Sequence, residues 1–145
     1  MREVNYFNQF FCEDDNSYSV IVEDDIEVAY AYLMRDNQII SDVWLYNNNG
    51  TPDKVDWSDV SLMPFKNPKN YINESMMMEK IDSYDFVVEW TQNGDAITAK
   101  VYIRGLALAY LNNCSKIGWS YAVSKNGPLA KKLFRKIIKI NRIDN

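Results

Sequence analysis

The chain has 145 residues, 47% of them apolar and 14% aromatic, with few glycines and prolines, which suits one domain spanning residues 1–145 with a sizeable core. It contains no histidine and only two cysteines. That removes Ser-His and Cys-His nucleophile pairs, imidazole acid–base catalysis and a closed structural zinc site. The net charge of −4 is unevenly spread: residues 1–95 carry 19 acidic and 6 basic side chains, and residues 96–145 carry 1 acidic and 10 basic.

Taken in order, Val4-Asn5-Tyr6-Phe7-Asn8-Gln9-Phe10-Phe11 places apolar residues at 4, 7, 10 and 11. This spacing predicts a short N-terminal helix, ended by Glu13-Asp14-Asp15-Asn16. The segment is too short and too polar for a secretory signal, so a cytoplasmic location is expected. There the thiols of Cys12 and Cys114 are expected to be free.

Ser17–Glu23 alternates and reads as a strand, with a turn at Glu23-Asp24-Asp25. Ile26–Arg35 and Ile39–Tyr46 read as a hairpin around Asp36-Asn37, which pairs Met34 with Ile39, Tyr30 with Val43 and Val28 with Leu45. Both of its faces are apolar, which predicts a central, covered position. Asn47–Asn70 then holds three of the four prolines and no sustained period. A connection of that length is either functional or disordered, and Trp57, Met63 and Phe65 argue against disorder. Tyr71–Ile81 is compatible with a helix.

Tyr84–Arg104 carries the clearest hairpin signal, Asn93-Gly94 between two alternating runs. A turn centred on those two residues pairs Trp90 with Ile97, Val88 with Ala99 and Phe86 with Val101. It leaves Glu89, Thr98, Lys100 and Tyr102 on a wetter face. Gly105 reads as a bulge or bend in one long strand from Ala96 to Leu111. Ile117–Val123 alternates as a further strand. Asn126-Gly127-Pro128 then reads as a helix start. From there Leu129, Leu133, Phe134, Ile137 and Ile140 form an apolar stripe opposite Lys131, Lys132, Arg135, Lys136 and Lys139. The expected fold is therefore α+β: an antiparallel sheet of about six strands in hairpins or a meander, a C-terminal amphipathic helix on one face, and a short N-terminal helix.

No phosphate-binding loop or nucleophile elbow is present, and no cofactor is expected. The carboxylates at 13–15 and 23–27 lack calcium-loop spacing and read as solvated turns. Asp53, Asp56 and Asp59 are three apart in the long connection, where capping or solvation is the simpler explanation than metal. An enzyme without histidine could still use two carboxylates, with Asp42 the acid least at home in its strand. The basic C-terminal stretch could meet phosphate backbones, but the chain is acidic overall, with a pI of about 4.8, so neither nucleic acid nor membrane is the expected partner. Protein binding remains. Trp44, Trp57 and Phe65, with Asp53, Asp56 and Asp59 around them, form the candidate contact surface, and no catalytic or metal-binding residue is assigned.

Three stretches, Asp42–Asn47, Val101–Gly105 and Ile117–Ser120 continuing to Lys125–Lys131, resemble small acidic bacterial proteins that serve as immunity partners of polymorphic or contact-dependent toxins. The resemblance covers about half of the chain. It implies an antidote that neutralises a cognate toxin, such as a basic toxin domain, by occluding it. It assigns no contact residue.

Overall fold

The computed structural model describes residues 4–73 and 85–133. Nine strands occupy these residues: β1 Val4–Phe11, β2 Tyr18–Asp25, β3 Val28–Arg35, β4 Gln38–Asn47, β5 Phe86–Asn93, β6 Ala96–Ile103, β7 Leu106–Asn112, β8 Trp119–Ser120 and β9 Lys131–Lys132. They form two sheets, ordered β1-β2-β3-β4 and β5-β6-β7-β8-β9. All neighbours are antiparallel except β8 and β9. The only helices among the described residues are two single turns of 3-10 helix, Val60–Leu62 and Lys69–Tyr71. No described helix is long and apolar enough to cross a membrane.

The α+β expectation is therefore overturned at both ends. The N-terminal segment is β1, not a helix, because a strand gives its aromatics better partners. Tyr6 stacks on Phe86 at 5.4 Å, and Phe10 packs against the core, while Phe7, Gln9 and Phe11 point outward. Aromatics at both 10 and 11 satisfied the helical period only by coincidence. At the other end, the stretch after Pro128 is extended. The amides of Lys131 and Leu133 donate to the carbonyls of Gly118 and Ser120, and Leu129 O accepts from Trp44 N–H. Tertiary pairing outweighs the local helical pattern. The rest of the expected C-terminal helix, and most of the helix-compatible stretch 71–81, lie outside the described residues.

The two sheets pack face to face. Val20, Val22, Ala31, Leu33, Val43 and Leu45 from the first meet Phe86, Ile97, Ala99, Val101, Ile103 and Leu111 from the second in one buried cluster. Along one side the sheets are joined by backbone. Asp42 N–H donates to Lys116 O, Gly118 N–H donates to Asp42 O, and Trp44 N–H donates to Leu129 O. On the opposite side β1 and β5 are the terminal strands.

The β5–β6 hairpin forms, with its turn displaced by one residue. Asn93 pairs with Ala96, and Gly94, at φ 63°, takes the first central position. Glycine at that position gives a turn of the II′ kind, where the expected one needed positive φ at both Asn93 and Gly94. Moving the turn by one residue moves the pairing by two, which preserves the faces. Phe86, Val88 and Trp90 still share the inner face with Ile97, Ala99 and Val101, and Glu89 now lies opposite Lys100 at 3.8 Å. The long strand expected over 96–111 is instead a second hairpin. Arg104 and Gly105 both have positive φ, and Ile103 pairs with Leu106. In the β3–β4 hairpin Met34 does pair with Ile39, but irregularities at Leu33/Met34 and Ala29/Tyr30 shift the later pairs, so Tyr30 faces Trp44.

Candidate functional site

The long connection between β4 and the undescribed segment is a built structure. Its base is closed by Asn47, whose side chain behaves like a missing strand partner. Asn47 Nδ2 donates to the Asn67 carbonyl at 2.8 Å, and Asn47 Oδ1 accepts from the Asn67 amide at 3.0 Å and from Trp44 Nε1 at 2.9 Å. Lys69 N–H donates to Pro52 O across the neck of the loop. The Tyr30 hydroxyl reaches from the outer face of the first sheet to the Phe65 carbonyl at 2.6 Å. Burial, with Tyr32 and Asp42 nearby, pushes the Tyr30 phenol above its ordinary range, so it stays a neutral donor. Farther along, Ile72 bridges Val123 and Ser124 N–H donates to Tyr71 O.

Trp57 meets Phe65 edge-on at 5.2 Å and Tyr71 at 6.4 Å, a small aromatic cluster that gives the loop a core of its own. Asp56 and Asp59 work locally in the same way. Each accepts from the amide and the hydroxyl of the serine two residues on, Ser58 and Ser61, at 3.0 and 2.6 Å. The Ser58 hydroxyl and then its amide hold the Asp56 carboxyl below its ordinary value. Asp59 thereby caps the turn Val60–Leu62.

That turn carries the residues the sequence reading missed. Val60 is 76% exposed, Leu62 48% and Met63 59%. They form an apolar knob beside Asp56 and Asp59, and Asp53 is exposed in the same loop. Met63, which the sequence offered with Trp57 and Phe65 as an argument against disorder, is exposed, whereas Trp57 and Phe65 pack against the core. No periodicity marks such a knob, and only apolar residues next to capping aspartates hint at it. Of the six expected contact residues, Asp53, Asp56 and Asp59 are exposed, and Trp57 and Phe65 are half-buried and packed against the core. Trp44 lies elsewhere, 2% exposed in the core.

The other acids divide by role. Asp24 and Asp25, expected in a solvated turn, are buried. Asp24 accepts from Tyr46 Oη at 2.6 Å and Asn48 Nδ2 at 2.7 Å, and Asp25 Oδ1 accepts from the amides of Glu27 and Val28. No metal-holding group of three or more acid or thiol side chains occurs among the described residues. Asp42 lines an open cavity of about 670 Å³ with Ser41, Cys114 and Lys116, and it is the one carboxylate there. The loop acids do not join it. Burial raises the Asp42 carboxyl above its ordinary value. The folded protein therefore holds that proton more tightly than the unfolded chain, and Asp42 costs stability as pH rises from the ordinary carboxylate value through the raised one. Asp42→Asn is expected to flatten this decline and raise the urea midpoint at pH 7 relative to pH 4. Parallel midpoints at both pH values would refute the assignment. Both cysteines are free, Cys12 buried and Cys114 exposed.

Compared with family models, curated proteins and solved structures, the chain matches none of them. Fold and site together define a two-sheet β protein that presents a supported apolar and acidic loop.

Proposed function

We propose that this chain is a non-enzymatic protein-binding module, acting most concretely as an antidote that occludes a basic toxin domain. The observation that carries the reading is the Val60–Met63 knob. Three large apolar side chains stand exposed on a loop whose base and core are fully tied down. A pre-ordered loop loses little entropy on binding. Apolar residues rimmed by carboxylates suit a partner surface with an apolar hollow and basic edges. The sequence resemblance to immunity proteins supplies the specific role.

The test is co-expression with the basic C-terminal domain of a toxin encoded beside this gene. The wild-type chain should restore growth. Val60→Asp with Met63→Asp should weaken binding at least tenfold by calorimetry, while shifting stability by no more than about 0.5 kcal/mol, as is usual for surface positions. No rescue by the wild-type chain, or undiminished binding by the double variant, would sink the reading.

A further inference from the structure

Among the described residues, the side of the sandwich opposite the joined one is a slot with strand edges on both banks. Arg104 N–H donates to Asp85 O, and Asn93 pairs with Ala96 across the turn. In an antiparallel ladder these alternate, so Val87, Glu89 and Thr91 direct their backbone groups to β6, and Phe86, Val88 and Trp90 direct theirs outward. The same argument for β1 starts from Cys12 N–H donating to Tyr18 O. It turns the amides of Phe7, Gln9 and Phe11 outward, away from β2. Of these, Gln9 N–H is already bonded by the Asn8 side chain at 2.9 Å.

Between the two banks lies a groove of about 460 Å³ with Phe10, Cys12, Val88 and Trp90 as its apolar walls and Glu13 and Asp14 at its rim. No cation lines it, and neither Glu13 nor Asp14 has an ion pair among the described residues. Edge strands are usually guarded by charged side chains, proline or a bulge. β5, F-V-V-E-W-T-Q-N, has no proline and pairs with β6 without a register break, and its one charge, Glu89, is engaged by Lys100 at 3.8 Å.

We propose that β5 is an acceptor edge for an extended peptide segment of a partner whose groove-facing side chains, every second residue, run from apolar to basic. The segment bonds to the backbone of Val88 and Trp90 and lays its apolar side chains into the groove over Phe10 and Cys12. A cation at the next groove-facing position meets Glu13 and Asp14. β5 rather than β1 takes the strand, because β1 is bulged near Val4/Tyr6 and its Gln9 amide is occupied. This goes beyond the loop reading and uses a different surface.

The test uses the full chain. The probe is an acetylated, amidated heptapeptide with lysine at both ends, valine at the third and fifth positions and threonine between them, so that lysine and valine share one face. Saturable binding is expected, with slowed amide exchange at Val88 and Trp90. A glutamate version of the peptide should bind at least tenfold more weakly. Glu13→Gln with Asp14→Asn should weaken the lysine peptide at least fivefold, whereas Val60→Asp with Met63→Asp should leave it unchanged. A peptide N-methylated at alternate residues tests strand pairing with the protein unaltered, and it should not bind. The proposal is overturned by no saturation up to millimolar peptide, by equal binding of the glutamate or N-methylated versions, or by protection away from β5. It is equally overturned if sedimentation shows a dimer of this chain that protects β5 without peptide.

Discussion

Truncating Trp44 to alanine is expected to cost about 3–5 kcal/mol, the usual loss for a large aromatic removed from a packed core. Trp44 is 2% exposed, and its backbone amide is one of the bonds that join the two sheets. Its indole N–H also holds Asn47 Oδ1, the group that accepts the Asn67 amide and closes the loop. The damage should therefore extend to the loop. A urea titration followed by Trp fluorescence would show the lowered midpoint, and amide exchange at Asn67 should quicken. Trp44→Phe, which keeps most of the volume and loses the indole bond, should cost roughly 1 kcal/mol from that bond plus a modest packing loss. A Trp44→Ala variant as stable as wild type, yet unable to bind a partner, would return this residue to the contact surface that its sequence context suggested.

The sequence made the sheet visible where local chemistry and tertiary structure agree. Val20 and Val22, the alternating β3–β4 hairpin and the inner face of β5–β6 were all legible, because period-2 alternation survives a turn that moves by one residue. The covered, two-faced burial of β3 was legible too, since Tyr30 and Ala31 on opposite faces are both buried. The errors came where two patterns fit one segment. Phe7, Phe10 and Phe11 satisfy helical spacing, and the ladder with β2 together with the stacking of Tyr6 on Phe86 decides for a strand. The stretch from Leu129 to Leu133 likewise fits a helix until Trp44 bonds Leu129 and Gly118 and Ser120 accept from Lys131 and Leu133. The Arg104-Gly105 turn was hidden because arginine seldom takes the left-handed region, at φ 51° here.

The loop followed the same division. Its aspartates could be read as caps, since Asp-x-Ser is a local hydrogen-bonding unit. The roles of Asn47 and Tyr30 could not, because each depends on a residue 20 or 35 positions away. The acidic character of the chain's first two-thirds is also less exposed than composition implied. Asp24 and Asp25 serve buried hydrogen bonds, whereas Asp53, Asp56 and Asp59 in the loop and Glu13 and Asp14 at the groove are among the described carboxylates that stand exposed.

Gly118→Ala should be the most damaging small substitution in the second sheet, costing about 3 kcal/mol as an overpacked site that cannot yield. An added Cβ would strike the Tyr110 carbonyl oxygen and lie 2.9 Å from Val43 Cβ and 3.1 Å from Leu111 Cδ2. The first is backbone held beside β8, and the second is a stiff branched side chain at the centre of the core. Gly118 cannot retreat, because its amide donates to Asp42 O at 2.7 Å and its carbonyl accepts from Lys131 at 2.9 Å. The methyl group therefore wedges apart the backbone seam that joins the two sheets. The seam should loosen before the sheets themselves: exchange at the Asp42, Gly118 and Lys131 amides should accelerate more than at Val22 in the centre of β2. Gly94→Ala is the control. Nothing lies within 4 Å of its added Cβ, and only its positive φ opposes the change, so about 1–2 kcal/mol is expected. If Gly118→Ala unfolds within 0.5 kcal/mol of wild type in the same titration, the two sheets do not meet at this glycine.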